Sequence, residues 1–455
     1  MCKARKPMRM RPKAKSLIGC LRDFLTPEVW KQVRNAGNPR KKPRWDVHPL
    51  LFVLLTMTWA CGDSLPEKFE TARGFYVLCH EKKRRPGESF QGFQQALEKL
   101  TMPVLRALAG GIRRRLEKLL TKRLAVGGFI PLGCDGTRCE CPRTEELERR
   151  LGVSGKEDSA PTIWITALVH LPTGVPWSWR CGCGSKSSER KHLCLLLSCL
   201  PKRAMVVTDA GYYGYQVIRE LVDAKVFFLI RMCSNVTLYV EGIEDSGAFH
   251  DGEVLYWPEN VQNKGGKPLR LRLIRVPGKK SGQDVWLLTN VLDVERFSRQ
   301  TASRFYRWRW ENEGYFRTYK RTLGKVKLMS RTVRCLHREA EATMIATQLL
   351  LAQGAVAMPE AAAGEETPVC SPRKVLLEVR RAMQGGLPDR IARRFSERLG
   401  RLCRERRYRR SPKQKREWPR RKSHKPPGPP QILPLSTVQK ALLVQILGGD
   451  YNSNC

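Results

Sequence analysis

Four side chains of different chemistry recur at fixed offsets between Tyr306 and Lys320. Arg309, Glu313 and Lys320 follow Tyr306 by three, seven and fourteen residues. At about 100° per residue, a helix places all four within roughly 60° of arc. One face then presents a phenol, a guanidinium, a carboxylate and an ammonium. Guanidinium and ammonium groups hold phosphate oxygens, and carboxylates are the hard oxygen ligands that Mg²⁺ prefers. Two aspartates stand where a sheet can fix them. Asp135 follows Phe129-Ile130-Pro131-Leu132 in Gly133-Cys134-Asp135-Gly136-Thr137, and Asp209 ends the apolar run Ala204-Met205-Val206-Val207-Thr208. Each has an ordinary explanation as well, because Asp-Gly is a common hairpin turn and a strand-end aspartate often caps a helix. Trp308, Tyr315 and Tyr319 leave the same helix within about 40° of one another on a different side, as a packing face.

The elements that must position these groups read as follows. From Leu25 to about Ala125 the chain is helical, starting at Thr26-Pro27-Glu28, where Thr suits the cap and Pro the first turn. From Gly127 the texture changes to short β-branched runs: 129–132, 162–169, 204–208 and 226–230. Helical stretches over 188–200 and 216–224 separate the later ones, which gives an α/β core. Three more strands are expected at 254–257, 269–276 and 285–290. In the second of these, leucines alternate with Arg270 and Arg272, one face apolar and one basic. Helix returns over 297–353, followed by a linker at 358–366 and a basic, proline-rich segment over 401–430. The resulting division is a helical domain over 1–126, the core over 127–240 and 297–357, a β-rich insertion over 241–296, and a linker with a basic C-terminal region over 358–455.

Composition narrows the partners. With 84 Lys and Arg against 43 Asp and Glu, the net charge of +41 calls for a polyanion, while 41% hydrophobic residues supply a core that packaging proteins lack. The basic runs 40–44, 82–85 and 113–115 suit phosphate contacts. The sixteen cysteines follow no secretory signal and fit a reducing compartment. The apolar stretches at 49–60 and 343–358 are too short to span a membrane, which makes the reading a soluble, intracellular protein with no membrane partner. Cys139-x-Cys141 and Cys181-x-Cys183 lack the usual spacing of zinc pairs, and His170 and His192 read as core histidines.

With these residues in place, the chain resembles bacterial insertion-sequence transposases of the DDE class, in the group with a Tyr-x-x-Arg-x-x-x-Glu-x-x-x-x-x-x-Lys signature. Tyr306, Arg309, Glu313 and Lys320 match every spacing, and Asp135-Gly136-Thr137 and Asp209-Ala210-Gly211-Tyr212 look like the group's two other acidic motifs. The resemblance covers roughly 127–330. It implies an RNase H-like catalytic core interrupted by a β-rich insertion. It also implies two Mg²⁺ or Mn²⁺ ions on Asp135, Asp209 and Glu313, with DNA phosphates held by Tyr306, Arg309 and Lys320. The implied reaction is cleavage and strand transfer at the terminal inverted repeats of the protein's own element. The partners are double-stranded terminal and target DNA in a homodimeric synaptic complex, and the location is the bacterial cytoplasm, on the nucleoid when bound. Members of the group often form a hairpin with a tryptophan of the insertion; Trp257 and Trp286 lie in that region. Ser436–Leu447 is a candidate dimer contact. Two rivals remain open: another RNase H-like nuclease such as a resolvase, and a non-catalytic DNA-binding derivative of a transposase.

Overall fold

The computed structural model describes residues 14–37, 44–152, 159–184, 187–241, 249–278, 284–359, 369–385, 389–405 and 428–447. Most of the basic run at 40–44, most of the linker at 358–366 and most of the basic segment at 401–430 lie outside them. In chain order the elements begin with α1 (Leu17–Phe24), α2 (Pro27–Asn35), α3 (Val47–Met57), α4 (Leu65–Cys79), α5 (Phe90–Lys99), α6 (Met102–Leu119) and α7 (Thr121–Leu124). Next come β1 (Ile130–Glu140), α8 (Glu145–Leu151), β2 (Thr162–His170), β3 (Val175–Cys183), α9 (Glu189–Leu196), β4 (Ala204–Thr208), α10 (Tyr215–Asp223) and β5 (Phe227–Arg231). They are followed by β6 (Thr237–Val240), β7 (Asp251–Tyr256), α11 (Glu259–Gln262), β8 (Leu269–Val276), β9 (Val285–Thr289), α12 (Arg299–Trp308), α13 (Glu311–Arg317) and α14 (Val333–Ala357). The last are β10 (Val369–Cys370), α15 (Pro372–Met383), α16 (Asp389–Ala392), α17 (Phe395–Leu402), β11 (Arg404–Glu405), β12 (Gln431–Pro434) and α18 (Thr437–Leu447).

The chain forms two units. The first joins residues 1–120, 318–324 and 332–407 and is mainly helical. Its two most apolar helices, α3 and α14, pack together, as the hydrophobic runs of the sequence require. The Trp59 indole donates to the Ala346 carbonyl at 3.2 Å, and Arg380 donates to the Trp59 carbonyl at 2.8 Å, which stitches α14 and α15 to the end of α3. Thr26 caps α2 through its bond from Val29 N–H, and Pro27 occupies the first turn. No helix among the described residues is long and apolar enough to cross a membrane.

The second unit joins residues 121–317, 325–331 and 408–455. Its ten-stranded sheet runs β12-β6-β7-β8-β9-β5-β4-β1-β2-β3. β1, β2 and β3 form an antiparallel meander, while β4 and β5 run parallel to β1. The strands expected in an insertion are therefore continuous with the core: β9 pairs antiparallel with β5, and β8, β7 and β6 follow outward. β3 escapes the β-branched pattern because Pro176 and Gly182 sit in it, which an edge strand tolerates.

The basic face expected on β8 is half wrong. Arg270 is exposed, but Arg272 is fully buried and forms a fork to Asp251 of β7 at 2.7 and 2.8 Å. Its remaining nitrogen donates to the Phe297 carbonyl at 2.8 Å, at the entry to α12. Trp257 and Trp286 are both buried. The Trp257 indole donates to the Gly266 carbonyl at 2.7 Å, and its ring packs with Leu435 and Leu443 of the C-terminal segment, so neither tryptophan presents a ring to solvent. α18 lies against this cluster through Leu443 and exposes Val438 and Val444.

Candidate active site

The Asp-Gly pair at 135–136 is not a hairpin turn: it lies inside the eleven-residue strand β1, with Asp135 opposite Ala167 of β2. On the other side β1 pairs in parallel with β4, Gly133 opposite Val207. Asp135 lies on β1 two residues beyond that pair, and Asp209 follows directly after the last residue of β4, two residues beyond it on the other side. The two carboxylates are close enough for the charge of Asp209 to act on Asp135. Asp209 also fulfils its capping role, accepting from Gly211 N–H at 2.8 Å as a 3₁₀ turn starts over Ala210–Tyr212.

Glu313 arrives from α13, which packs on β1. The contact is made by Asn312, fully buried against Gly133: a Cβ at 133 would lie 2.6 Å from the Asn312 amide nitrogen and from Leu171 Cδ2. Glycine at 133 is what lets this helix settle on the strand. Glu313, next in sequence, is exposed and close enough for its charge to act on Asp135.

The helix through the four-residue signature is not continuous. α12 ends at Trp308, tight bonds from Arg309 N–H to Tyr306 and from Trp310 N–H to Arg307 turn the chain, and α13 starts at Glu311. A π-helical turn over Thr318–Thr322 then carries Lys320 into the helical unit, off the helix that carries Glu313. The break has a packing cause, since α12 buries Phe305 and Tyr306 in the cluster of Phe129, Met205 and Phe297, while α13 buries Asn312 on β1. One straight helix does not serve both surfaces. Tyr306 keeps its hydroxyl buried without a partner, and its ring faces the Arg309 guanidinium at 5.6 Å. Arg309 is 9% exposed, lies between Tyr306 and the exposed Trp310, and leaves its Nε without a hydrogen bond. Trp308 is partly buried and Tyr315 and Tyr319 are buried, but they stand on three successive segments and not on one packing face of a single helix.

The two histidines are satisfied in the core. His170 meets the Leu124 carbonyl and Thr173, and His192 meets Thr166. Beside the site, α12 carries an open cavity of about 540 Å³ lined by Arg299, Arg304 and Arg307 together with Gln300, Thr301 and Ser303.

Sequence reasoning missed Glu189, the first residue of α9. Its carboxyl group lies over Gly136, where a Cβ would come within 2.6 Å of the carboxyl carbon, and the Tyr212 hydroxyl hydrogen-bonds it. The signal available was the lack of a side chain at 136, which a turn had explained.

Electrostatics bind these groups into one site. Burial pushes the Asp135 carboxyl above its ordinary range. The charges of Asp209 and Glu313 add to that, and the Gly136 N–H and Arg309 oppose it. Glu189 is raised first by burial and then by Asp135 and Asp209, against the Tyr212 hydrogen bond. A carboxyl whose folded pKa is raised holds its proton more tightly in the folded state. Its ionisation therefore costs stability, an effect absent below about pH 4 that grows as pH rises through the raised value. In EDTA at pH 7, Asp135→Asn is expected to melt about 2 °C above the wild type, with the gap closing toward pH 4. Thermal melts followed by circular dichroism check this; a gap independent of pH would place its origin elsewhere.

The donor set suits a hard divalent cation, since every group is a carboxylate and like charges gathered on one strand face need a counter-charge. Among the described residues, no three acidic, histidine or cysteine side chains already surround one point.

No curated protein matches this chain significantly. A cryo-EM structure of a piggyBac transposase synaptic complex with hairpin DNA is similar over 88% of this chain and 88% of that one, at 12% identity and a TM-score of 0.41, too distant to carry an argument. Residues 134–349 match the model of the family described as the transposase DDE domain, a span that takes in Asp135, Asp209, Tyr306, Arg309, Glu313 and Lys320.

Proposed function

We propose that this chain is a DDE transposase of the bacterial insertion-sequence group with the Tyr-Arg-Glu-Lys signature, cutting and rejoining DNA at the ends of its own element. The observation that carries the reading is the convergence of Asp135 on β1, Asp209 at the end of β4 and Glu313 on α13, whose charges reach one another, inside the span that matches the transposase domain. Asp135, Asp209 and Glu313 are the residues that hold two Mg²⁺ or Mn²⁺ ions, and an RNase H-like core is the fold assigned to 127–240 and 297–357. Held by these three carboxylates, such ions would supply activation of water and charge neutralisation at the leaving oxygen of a phosphodiester.

The chain's own groups do the positioning. β1 and β4 fix two carboxylates, α13 delivers the third, and Arg309, buried with an unused donor beside Asp135, takes a phosphate oxygen. Tyr306 orients the guanidinium through its ring. Lys320 is assigned to a phosphate farther along the strand, and the arginine-lined cavity on α12 suits the same backbone. The helical N-terminal unit and the basic C-terminal region supply further DNA contact, and a homodimer brings two ends together.

The test uses a DNA fragment bearing the element's ends, with Mg²⁺ and with EDTA. Nicking at the element boundary in Mg²⁺ and none in EDTA is the expected result. Binding without cleavage in both would make the chain a passive binder, and cutting with no preference for the boundary would make it a general nuclease.

A further inference from the structure

We propose that Glu189 is a fourth carboxylate of the cation site, acting with Asp135, Asp209 and Glu313. The inference rests on the transposase reading and deepens it.

The geometry starts with Gly136. Any side chain on β1 directly after Asp135 would occupy the space of the Glu189 carboxyl group, so the Asp-Gly motif leaves that space open for a residue of α9. Two ties hold Glu189 there. Tyr212 is 1% exposed; its hydroxyl accepts from the Cys134 thiol of β1 at 3.5 Å and hydrogen-bonds the Glu189 carboxylate. Arg190, the next residue of α9, donates to the Gly211 carbonyl at 2.8 Å in the loop that begins at Asp209. The start of α9 is thus fastened to both aspartate-bearing segments, and Glu189 stands between them.

A first-turn glutamate has an ordinary use, easing the helix dipole. That use does not fit here, because the carboxyl is turned onto Gly136 and Tyr212, where it also feels the charges of Asp135 and Asp209. An unmet counter-charge is the better account. Four carboxylates carry four negative charges, the number that two divalent ions balance, whereas three leave one positive charge over. Arg309 does not restore the balance: buried beside Asp135, it leaves its Nε without a hydrogen bond, a donor open to a phosphate.

The test is Mn²⁺ binding to the full chain, stripped with EDTA and without DNA, followed by the electron paramagnetic resonance of free Mn²⁺. Gln at 189 keeps the shape and still accepts from Tyr212, so a merely structural Glu189 predicts unchanged binding in Glu189→Gln. The proposal predicts at least about tenfold weaker binding of one of two ions, with the melting temperature of the metal-free protein unchanged or raised. Glu189→Asp, which retains the charge, recovers part of the loss, and Tyr212→Phe shows a smaller loss than Glu189→Gln. Wild-type Mn²⁺ affinity in Glu189→Gln, or in Glu189→Asp together with Tyr212→Phe should the amide variant not fold, overturns the proposal and leaves the transposase reading intact. Wild-type affinity in Asp135→Asn as well removes the cation site and both readings with it.

Discussion

Asp135→Asn, Asp209→Asn and Glu313→Gln each lower cleavage of element-end DNA by at least about a thousandfold, with DNA affinity within about threefold of wild type. The amides preserve volume, so the effect isolates charge. Asn at 209 can still accept from Gly211 N–H, and the fold keeps its cap there. Glu313 is exposed and holds no described structural bond, while its neighbour Asn312 does the packing. On the proposed reading, each variant removes one negative oxygen from the set that would hold the ions. DNA affinity survives because it comes from the cationic surface. Single-turnover cleavage and gel-shift assays on the same preparations measure the two quantities. Glu313→Gln cutting at the wild-type rate would sink the assignment.

The second large effect concerns stability. Asp251→Ala is expected to cost about 3–5 kcal/mol, because it strands the fully buried Arg272 guanidinium without its carboxylate. The ion pair links β7 to β8, and the same guanidinium holds the Phe297 carbonyl. Its loss therefore loosens the approach to α12, which positions Tyr306 and the start of the Arg309 turn. Adding Arg272→Met to Asp251→Ala recovers most of the stability, since an apolar side chain in that space leaves no charge buried. Urea unfolding of the two variants and the wild type decides the matter. An Asp251→Ala protein within about 1 kcal/mol of wild type would mean that solvent reaches Arg272.

The acidic residues were legible in the sequence because strands and their ends announce themselves through β-branched runs, and Asp135 and Asp209 mark two of these. Their approach to one another was not, since the pairing of β1 with β4 is made in the tertiary fold across residues 141 to 203. The break at Arg309 and Trp310 carries no proline or glycine, and only the competing burial of Tyr306 and Asn312 explains it. Arg272 looked like half of a basic face because alternation does not tell whether an acid waits on the next strand. Glu189 drew no reading of its own, since Ser188-Glu189-Arg190-Lys191 has the make-up of an ordinary solvated helix start. Seeing it required knowing what lies over Gly136.

The contact between Asn312 and Gly133 also bears on when the molecule becomes competent. It joins positions separated by most of the second unit, and closing a loop of that length comes late in folding. β1 and β4 can pair as soon as residue 208 has been made, but the third carboxylate cannot reach them until α13 has formed and docked. On the transposase reading, a nascent chain stopped between residues 209 and 313 holds its two aspartates and lacks the third carboxylate. On that reading assembly order acts as a safeguard, because a chain that still lacks its third carboxylate would stay inert through most of its own synthesis.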